Sequence, residues 1–87
     1  MELNEEAKSL IKSSLNMEEK ILNLSLLKWG AKLSEFEKVY GMSSKEFFDK
    51  FNKGELGDDK IWFEWVFAYK AYMNIKNKLQ LIKKISL

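Results

Sequence analysis

Apolar residues recur at three- and four-residue spacing along nearly the whole chain, a spacing typical of amphipathic α-helices. The earliest group predicts a short N-terminal helix over residues 1–15 and consists of Leu3, Ala7, Leu10, Ile11 and Leu15. A longer stripe predicts a helix over residues 16–40 and consists of Leu15, Leu22, Leu26, Trp29, Leu33, Phe36 and Tyr40. Asn16 followed by Glu19 reads as the N-cap of that helix, although one uninterrupted helix across residue 16 fits the same pattern.

Glycine and serine residues mark where the next helix begins and ends. Gly41 is the expected stop of the long helix, and Ser43 with Glu46 forms the S-x-x-E pattern of a capping box. This box predicts a short helix over residues 44–52, which Gly54 ends. The absence of proline from the whole chain agrees with helices throughout.

The last helix is predicted over residues 59–85, with Asp58 as its N-cap. Its apolar stripe consists of Ile61, Trp65, Ala68, Tyr72, Ile75, Leu79 and Ile82. Because this stripe matches that of the helix over 16–40, the two long helices are expected to pack antiparallel, and Gly30 is interpreted as marking a close crossing. The predicted fold is one all-α domain over residues 1–87: two long antiparallel helices bridged by a short helix, with an N-terminal helix.

Residues 61–73 carry more apolar surface than one stripe requires. The additional residues lie on two flanks of the helix and are Trp62, Val66, Tyr69 and Met73 on one, and Phe63 and Phe67 on the other. A helix that is apolar on most sides must be covered on most sides, and this chain has too few elements to do so. The surplus predicts an oligomer, formed with a second copy of the chain or with a different protein.

Composition narrows the function classes. Cysteine and histidine are absent, and no Ser/His or paired-carboxylate arrangement occurs, so no enzyme, catalytic residue, cofactor or metal centre is predicted. Six acidic residues could gather a cation, but helix capping and solvation explain them better: Glu46, Asp49, Glu55, Asp58, Asp59 and Glu64. Apolar runs too short to span a membrane and an acidic N-terminus predict a cytoplasmic protein without a membrane partner.

The net charge of +2 is unevenly distributed. Residues 1–64 hold ten lysines and all 13 acidic residues, whereas residues 65–87 hold five lysines and no acid. The candidate contacts to phosphate or to an acidic partner are Lys76, Lys78, Lys83 and Lys84. A solvated basic helix face explains the same lysines, and the absence of arginine weakens the case for nucleic-acid base readout.

The segment from Tyr40 to Trp65 resembles a family of small helical proteins of archaea and bacteria. Their shared pattern is YGMS-x-x-EF-x-x-(K/R)F-x-x-GELGDD-x-x-x-FEW, which this chain matches within residues 38–72. Members of this family look like antitoxins encoded beside a small toxin, often a ribonuclease-like one. The resemblance therefore implies a cognate protein toxin as partner. It does not extend to the first 27 residues, so it implies no DNA-binding module there.

Two functional hypotheses follow. In the first, the chain is an antitoxin-like binding protein that covers the active site of its toxin with an aromatic-rich helix. Its predicted partner contacts are Trp62, Trp65, Val66, Tyr69, Tyr72 and Met73. In the second, the chain is a homodimeric helical scaffold or a nucleic-acid-associated protein, in which the aromatic residues close the dimer and the C-terminal lysines contact phosphates.

Overall fold

The computed structural model describes residues 3–85, which form three α-helices and contain no β-strand. The helices are α1 (Glu5–Tyr40), α2 (Ser44–Asn52) and α3 (Lys60–Lys83). The prediction of an all-α fold is confirmed, and so is the short helix over residues 44–52. The predicted helix over residues 1–15 and the predicted domain over 1–87 include residues 1, 2, 86 and 87, which lie outside the described part of the chain.

The N-terminal half of α1 differs from the prediction. Asn4 is the N-cap, and its Oδ1 accepts a 2.7 Å hydrogen bond from the backbone N–H of Ala7. The helix then continues through Asn16, so the separate helix over residues 1–15 is wrong and the uninterrupted alternative is confirmed. Asparagine inside a helix costs less than about 1 kcal/mol, and Leu15 and Leu22 hold the helix against α3 on both sides of it.

The turn between α1 and α2 follows the predicted capping signals. Gly41 adopts a left-handed conformation with φ 68°, and its N–H donates to the carbonyl of Glu37 over 2.9 Å. Ser43 Oγ accepts a 3.1 Å hydrogen bond from the N–H of Glu46. A further cap comes from α1, because Glu37 Oε2 accepts a 2.8 Å hydrogen bond from the N–H of Ser44. A carboxylate in the last turn of α1 thus stabilises the start of α2.

The start of α3 lies one residue later than predicted. Asp59 is the N-cap residue, since its carbonyl accepts the first helical hydrogen bond, 3.0 Å from the N–H of Trp62. Its side chain makes no capping hydrogen bond. The predicted cap at Asp58 is therefore wrong. At the other end, the N–H of Lys84 reaches the carbonyl of Leu81 over 3.1 Å, so the helix tightens into a final narrow turn.

The helices α1 and α3 form an antiparallel hairpin, and α2 packs across its closed end. The pairing order shows the direction, because Phe36 contacts Trp65 near the loops while Leu15 and Ile82 lie together near the termini. Buried residues concentrate at the closed end and are Leu33, Phe36, Phe47, Trp65 and Ala68. Toward the open end of the hairpin, the buried apolar side chains within residues 3–85 are those of Leu22 on α1 and Leu79 on α3.

The resulting molecule is elongated, with dimensions of 55 × 23 × 17 Å. Its radius of gyration is 17.6 Å, compared with about 12 Å for a compact domain of this length. Two helices shield each other on one side only, and the third is too short to cover the rest. Much of the apolar surface predicted to need covering is therefore still exposed.

Candidate functional site

Trp65, predicted to contact a partner, is instead the centre of the core. Its side chain has no exposed surface, and its ring stacks on Phe47 at 3.9 Å and 2° between planes. The ring of Phe36 lies 5.3 Å away at 11°, so each helix contributes one nearly parallel ring. The indole N–H donates to Ser44 Oγ over 3.0 Å. The prediction of Trp65 as a partner contact is wrong because α2 folds over it.

The flank formed by Trp62, Val66 and Tyr69 mostly holds α2 in place. All three side chains are partly buried against the core. The Trp62 ring lies 5.7 Å from that of Phe47, and the Tyr69 ring lies 5.0 Å from that of Phe48. Trp62 Nε1 is buried and has no hydrogen-bond partner within residues 3–85. Much of the predicted partner-binding flank is thus used inside the chain.

The remaining part of that flank lines a shallow groove between α2 and α3. The groove has a volume of about 470 Å³ and is lined by Phe48, Tyr69, Lys70, Met73, Asn74 and Asn77. Of the predicted partner contacts, Tyr69 and Met73 reach it, and the Met73 side chain is 36% exposed. Tyr72 lies elsewhere, partly buried between α1 and α3.

The most exposed aromatic side chains lie on the other flank of α3. Phe63 is 53% exposed and Phe67 is 65% exposed. They border a groove of about 500 Å³, here called the aromatic groove, which is lined by Trp29, Lys32, Lys60, Phe63, Glu64, Phe67 and Ala68. An apolar floor inside a charged rim is the usual composition of a protein–protein interface.

Contacts within the chain fix the orientation of both exposed rings. Phe67 meets Trp29 edge to face, with ring centroids 5.6 Å apart and 67° between planes. Phe63 meets Phe51 of α2 in the same manner, at 5.4 Å and 84°. Such pairs are attractive because the positive edge of one ring meets the negative face of the other. A partner would therefore meet two rings that already pack against other aromatic side chains.

The four predicted lysine contacts do not gather on one face. Lys76 and Lys83 are seven residues apart and share a side of α3, but Lys78 lies about 200° around the helix from Lys76. Acidic residues of α1 adjoin two of the lysines: Glu18 lies beside the same surface hollow as Lys78, and Glu19 beside that of Lys83. The basic charge is therefore divided and partly offset, unlike a continuous phosphate-binding patch.

Within residues 3–85, the acidic side chains form no group of three or more that could hold a metal ion. No helix in the same part of the chain is long and apolar enough to cross a membrane.

The partner contacts predicted from the sequence do not include two features of the surface. Phe63 and Phe67 belonged to the recognised surplus but were not chosen, although their spacing of four residues places them on one side of α3. The second feature is an apolar series at seven-residue spacing, which begins with Leu3 before α1 and continues on the helix with Leu10, Met17 and Leu24. Comparisons of the chain with protein-family models, with curated proteins and with solved structures gave no match.

Proposed function

We propose that this protein is an antitoxin-like binding protein that neutralises a small protein toxin through the aromatic groove. The observation that carries the proposal is the exposure of Phe63 and Phe67, at 53% and 65%, beside the indole of Trp29. Clusters of exposed aromatic side chains on an otherwise polar protein surface mark protein–protein interaction sites. The sequence pattern from Tyr40 to Trp65 supports the class of partner.

The position of Phe63 within that pattern supports the groove as the contact surface. Several residues of the pattern have structural roles. Gly41 and Ser43 cap helices, and Phe47 and Trp65 are part of the hydrophobic core. Phe63 differs from these residues because it is the most exposed aromatic residue of the pattern. A residue that packing leaves half exposed is well placed to meet another protein.

The groove suits an apolar ridge of the partner, such as one face of an amphipathic helix. Lys32 and Lys60 on its rim favour acidic groups beside that ridge, and Glu64 adds a site for one basic group. Because the rings are held by Trp29 and Phe51 before binding, little side-chain entropy is lost when the partner arrives. Covering the toxin's active site in this way requires no chemistry by the antitoxin.

Co-expression with the small toxin that the resemblance implies beside this gene tests the proposal. The double variant Phe63→Ser/Phe67→Ser should lose rescue of growth, because losing two aromatic anchors weakens binding by roughly several hundredfold. Its helix content should not change, since both side chains are largely exposed. The matched control is Leu27→Ser/Val39→Ser, which removes two side chains that are 72% and 73% exposed outside the groove. It should rescue fully.

Two outcomes would contradict this function. If the phenylalanine variant still bound and neutralised the toxin at wild-type strength, the aromatic groove would not be the contact surface. If neutralising the four C-terminal lysines abolished rescue while the phenylalanine variant retained it, phosphate binding would replace protein binding as the better explanation. Those lysines are Lys76, Lys78, Lys83 and Lys84. Trp62→Ala and Tyr69→Ala are poor probes, because both side chains pack against α2.

A further inference from the structure

A second apolar surface lies on α1, away from the aromatic groove. It is here called the α1 stripe and consists of Leu10, Met17, Ile21 and Leu24, which are 66%, 59%, 51% and 69% exposed. Their three-, four- and seven-residue spacings place them on one side of the helix. Gly30, Ser34 and Glu37 of α1 line a hollow with residues of α2 and α3, and they lie about 100–160° around the helix from Met17. No described residue covers the stripe.

The total surface of the chain shows that this exposure is unusual for a monomer. The accessible surface is 6746 Å² for a mass of 10.3 kDa, whereas a folded monomer of that mass exposes about 5,400 Å². The excess of roughly 1,300 Å² is more than the about 800 Å² that one partner contributes to a standard interface. The chain therefore exposes more surplus surface than its share of one standard interface would bury.

The residues along the stripe are complementary to themselves when two copies run antiparallel. With a two-fold axis at Met17, Leu10 of each copy faces Leu24 of the other, since both are seven residues from the axis. Ile21 then faces Ser13, whose small side chain leaves room for it. These pairs fill space in the way that ridges fit grooves between packed helices.

The charges at the ends of the stripe favour the same arrangement. Glu6 precedes Leu10 by four residues and Lys28 follows Leu24 by four, so both continue along the same side of α1. In the antiparallel arrangement each Glu6 faces a Lys28 of the other copy. A parallel arrangement would instead set Glu6 against Glu6 and Lys28 against Lys28, which is repulsive.

We propose that a second copy of this chain covers the α1 stripe, with the two α1 helices antiparallel about Met17, giving a dimer of hairpins. The pairing ends near residue 29, which faces Glu5 at the start of the other α1. Phe63 and Phe67 lie beyond that point, beside Trp29 and Lys32. The dimer therefore leaves the aromatic groove available, and this inference is independent of the proposed toxin partner.

Because the chain contains no cysteine, introduced cysteines report the arrangement directly. Met17→Cys should form a disulfide between two copies under mild oxidation, since the axis brings that residue beside itself. Leu10→Cys alone should not, because its two copies lie about 21 Å apart along the paired helices. A mixture of Leu10→Cys and Leu24→Cys chains should cross-link. Val39→Cys, outside the paired segment, is the matched exposed control and should stay uncoupled.

Sedimentation of the full chain at tens of micromolar tests association without cross-linking. The wild type should sediment as two copies. Met17→Lys should weaken association by roughly a hundredfold or more, because two like charges then meet at the axis. Val39→Lys changes a more exposed residue beyond the paired segment and should remain dimeric. Both variants should retain wild-type helix content.

Several results would overturn this inference. A wild type that sediments as one copy would do so, as would Met17→Lys remaining dimeric or Leu10→Cys cross-linking to itself. Phe63→Ser/Phe67→Ser should still sediment as two copies; dissociation of that variant would move the dimer contact to the aromatic groove. Because toxin rescue and sedimentation probe different residues, failure of one proposal is distinguishable from failure of the other.

Discussion

The indole N–H of Trp65 donates a 3.0 Å hydrogen bond to the hydroxyl of Ser44, joining α3 to the first turn of α2 inside the core. Ser44 is 4% exposed and Trp65 is fully buried. One hydrogen bond thus satisfies two polar groups that water cannot reach. Together with the stacked ring of Phe47, this bond fixes where α2 sits on the hairpin.

Replacing Trp65 by phenylalanine should be costly. Trp65→Phe keeps an aromatic ring but leaves the Ser44 hydroxyl buried without its partner, so urea unfolding should show a loss of about 1–3 kcal/mol. The matched control is Trp62→Phe, whose Nε1 has no hydrogen-bond partner within residues 3–85. That change should be nearly neutral. Equal losses for the two variants would show that the smaller ring volume, and not the missing hydrogen bond, causes the loss of stability in Trp65→Phe.

Gly30 inside α1 and Gly41 just after its end should respond to alanine in opposite directions. A Cβ at Gly30 would lie 3.5 Å from Cε2 of Tyr72, an ordinary contact, so the crossing does not require glycine. Gly30→Ala should therefore stabilise the protein by up to about 1 kcal/mol. Gly41→Ala should destabilise it by about 1–2 kcal/mol, because φ is 68° there. Thermal unfolding measures both; a lower melting temperature for Gly30→Ala would contradict the first expectation.

The cap that Glu37 provides should contribute measurably to the position of α2. Glu37→Ala removes the acceptor of the Ser44 N–H, so the protein should lose about 0.5–2 kcal/mol, as other helix caps do. Glu37→Gln keeps an acceptor oxygen and should lose less. Amide hydrogen exchange at Ser44 provides the local readout. Unchanged exchange in Glu37→Ala would show that the Glu37 carboxylate does not protect this N–H.

The rim of the aromatic groove should affect how fast the proposed toxin partner binds more than how fast it dissociates. Lys32→Glu/Lys60→Glu reverses two exposed charges on that rim, so association should slow several-fold and its dependence on salt should change. Surface plasmon resonance at several salt concentrations measures this effect. Lys12→Glu, far along α1, is the control for a charge reversal away from the groove. A change confined to dissociation would contradict steering by the rim.

The sequence predicted those parts of the fold whose signals are local. The stop at Gly41, the cap at Ser43 and the apolar stripe through Trp65 and Leu79 depend on neighbouring residues, and each has its counterpart in the structure. The predicted helix start at Asn16 was wrong because Asn16 followed by Glu19 is compatible both with an N-cap and with a helix interior. Packing of Leu15 and Leu22 against α3, a non-local effect, decided between them.

The candidate site was harder to predict for a geometric reason. Trp62 and Phe67 lie on opposite flanks of the α3 stripe, and α2 is long enough to cover one flank only. Which flank it covers depends on the path of the two connecting turns, and the apolar pattern carries no information about that path. The structure places α2 over Trp62 and leaves Phe67 exposed. The aromatic residues chosen from sequence were therefore largely those that the chain uses itself.

The uneven core also implies an order in which the protein assembles and comes apart. At the closed end, Phe36, Phe47 and Trp65 are separated by short stretches of chain, so bringing them together costs little loop entropy. The ends that meet around Leu22 and Leu79 should join last and open first. In a chain held monomeric by Met17→Lys, limited proteolysis should accordingly trim both termini before it cuts the closed end of the hairpin. The fragment that resists longest should contain residues 29–72, the part of the chain that folds first.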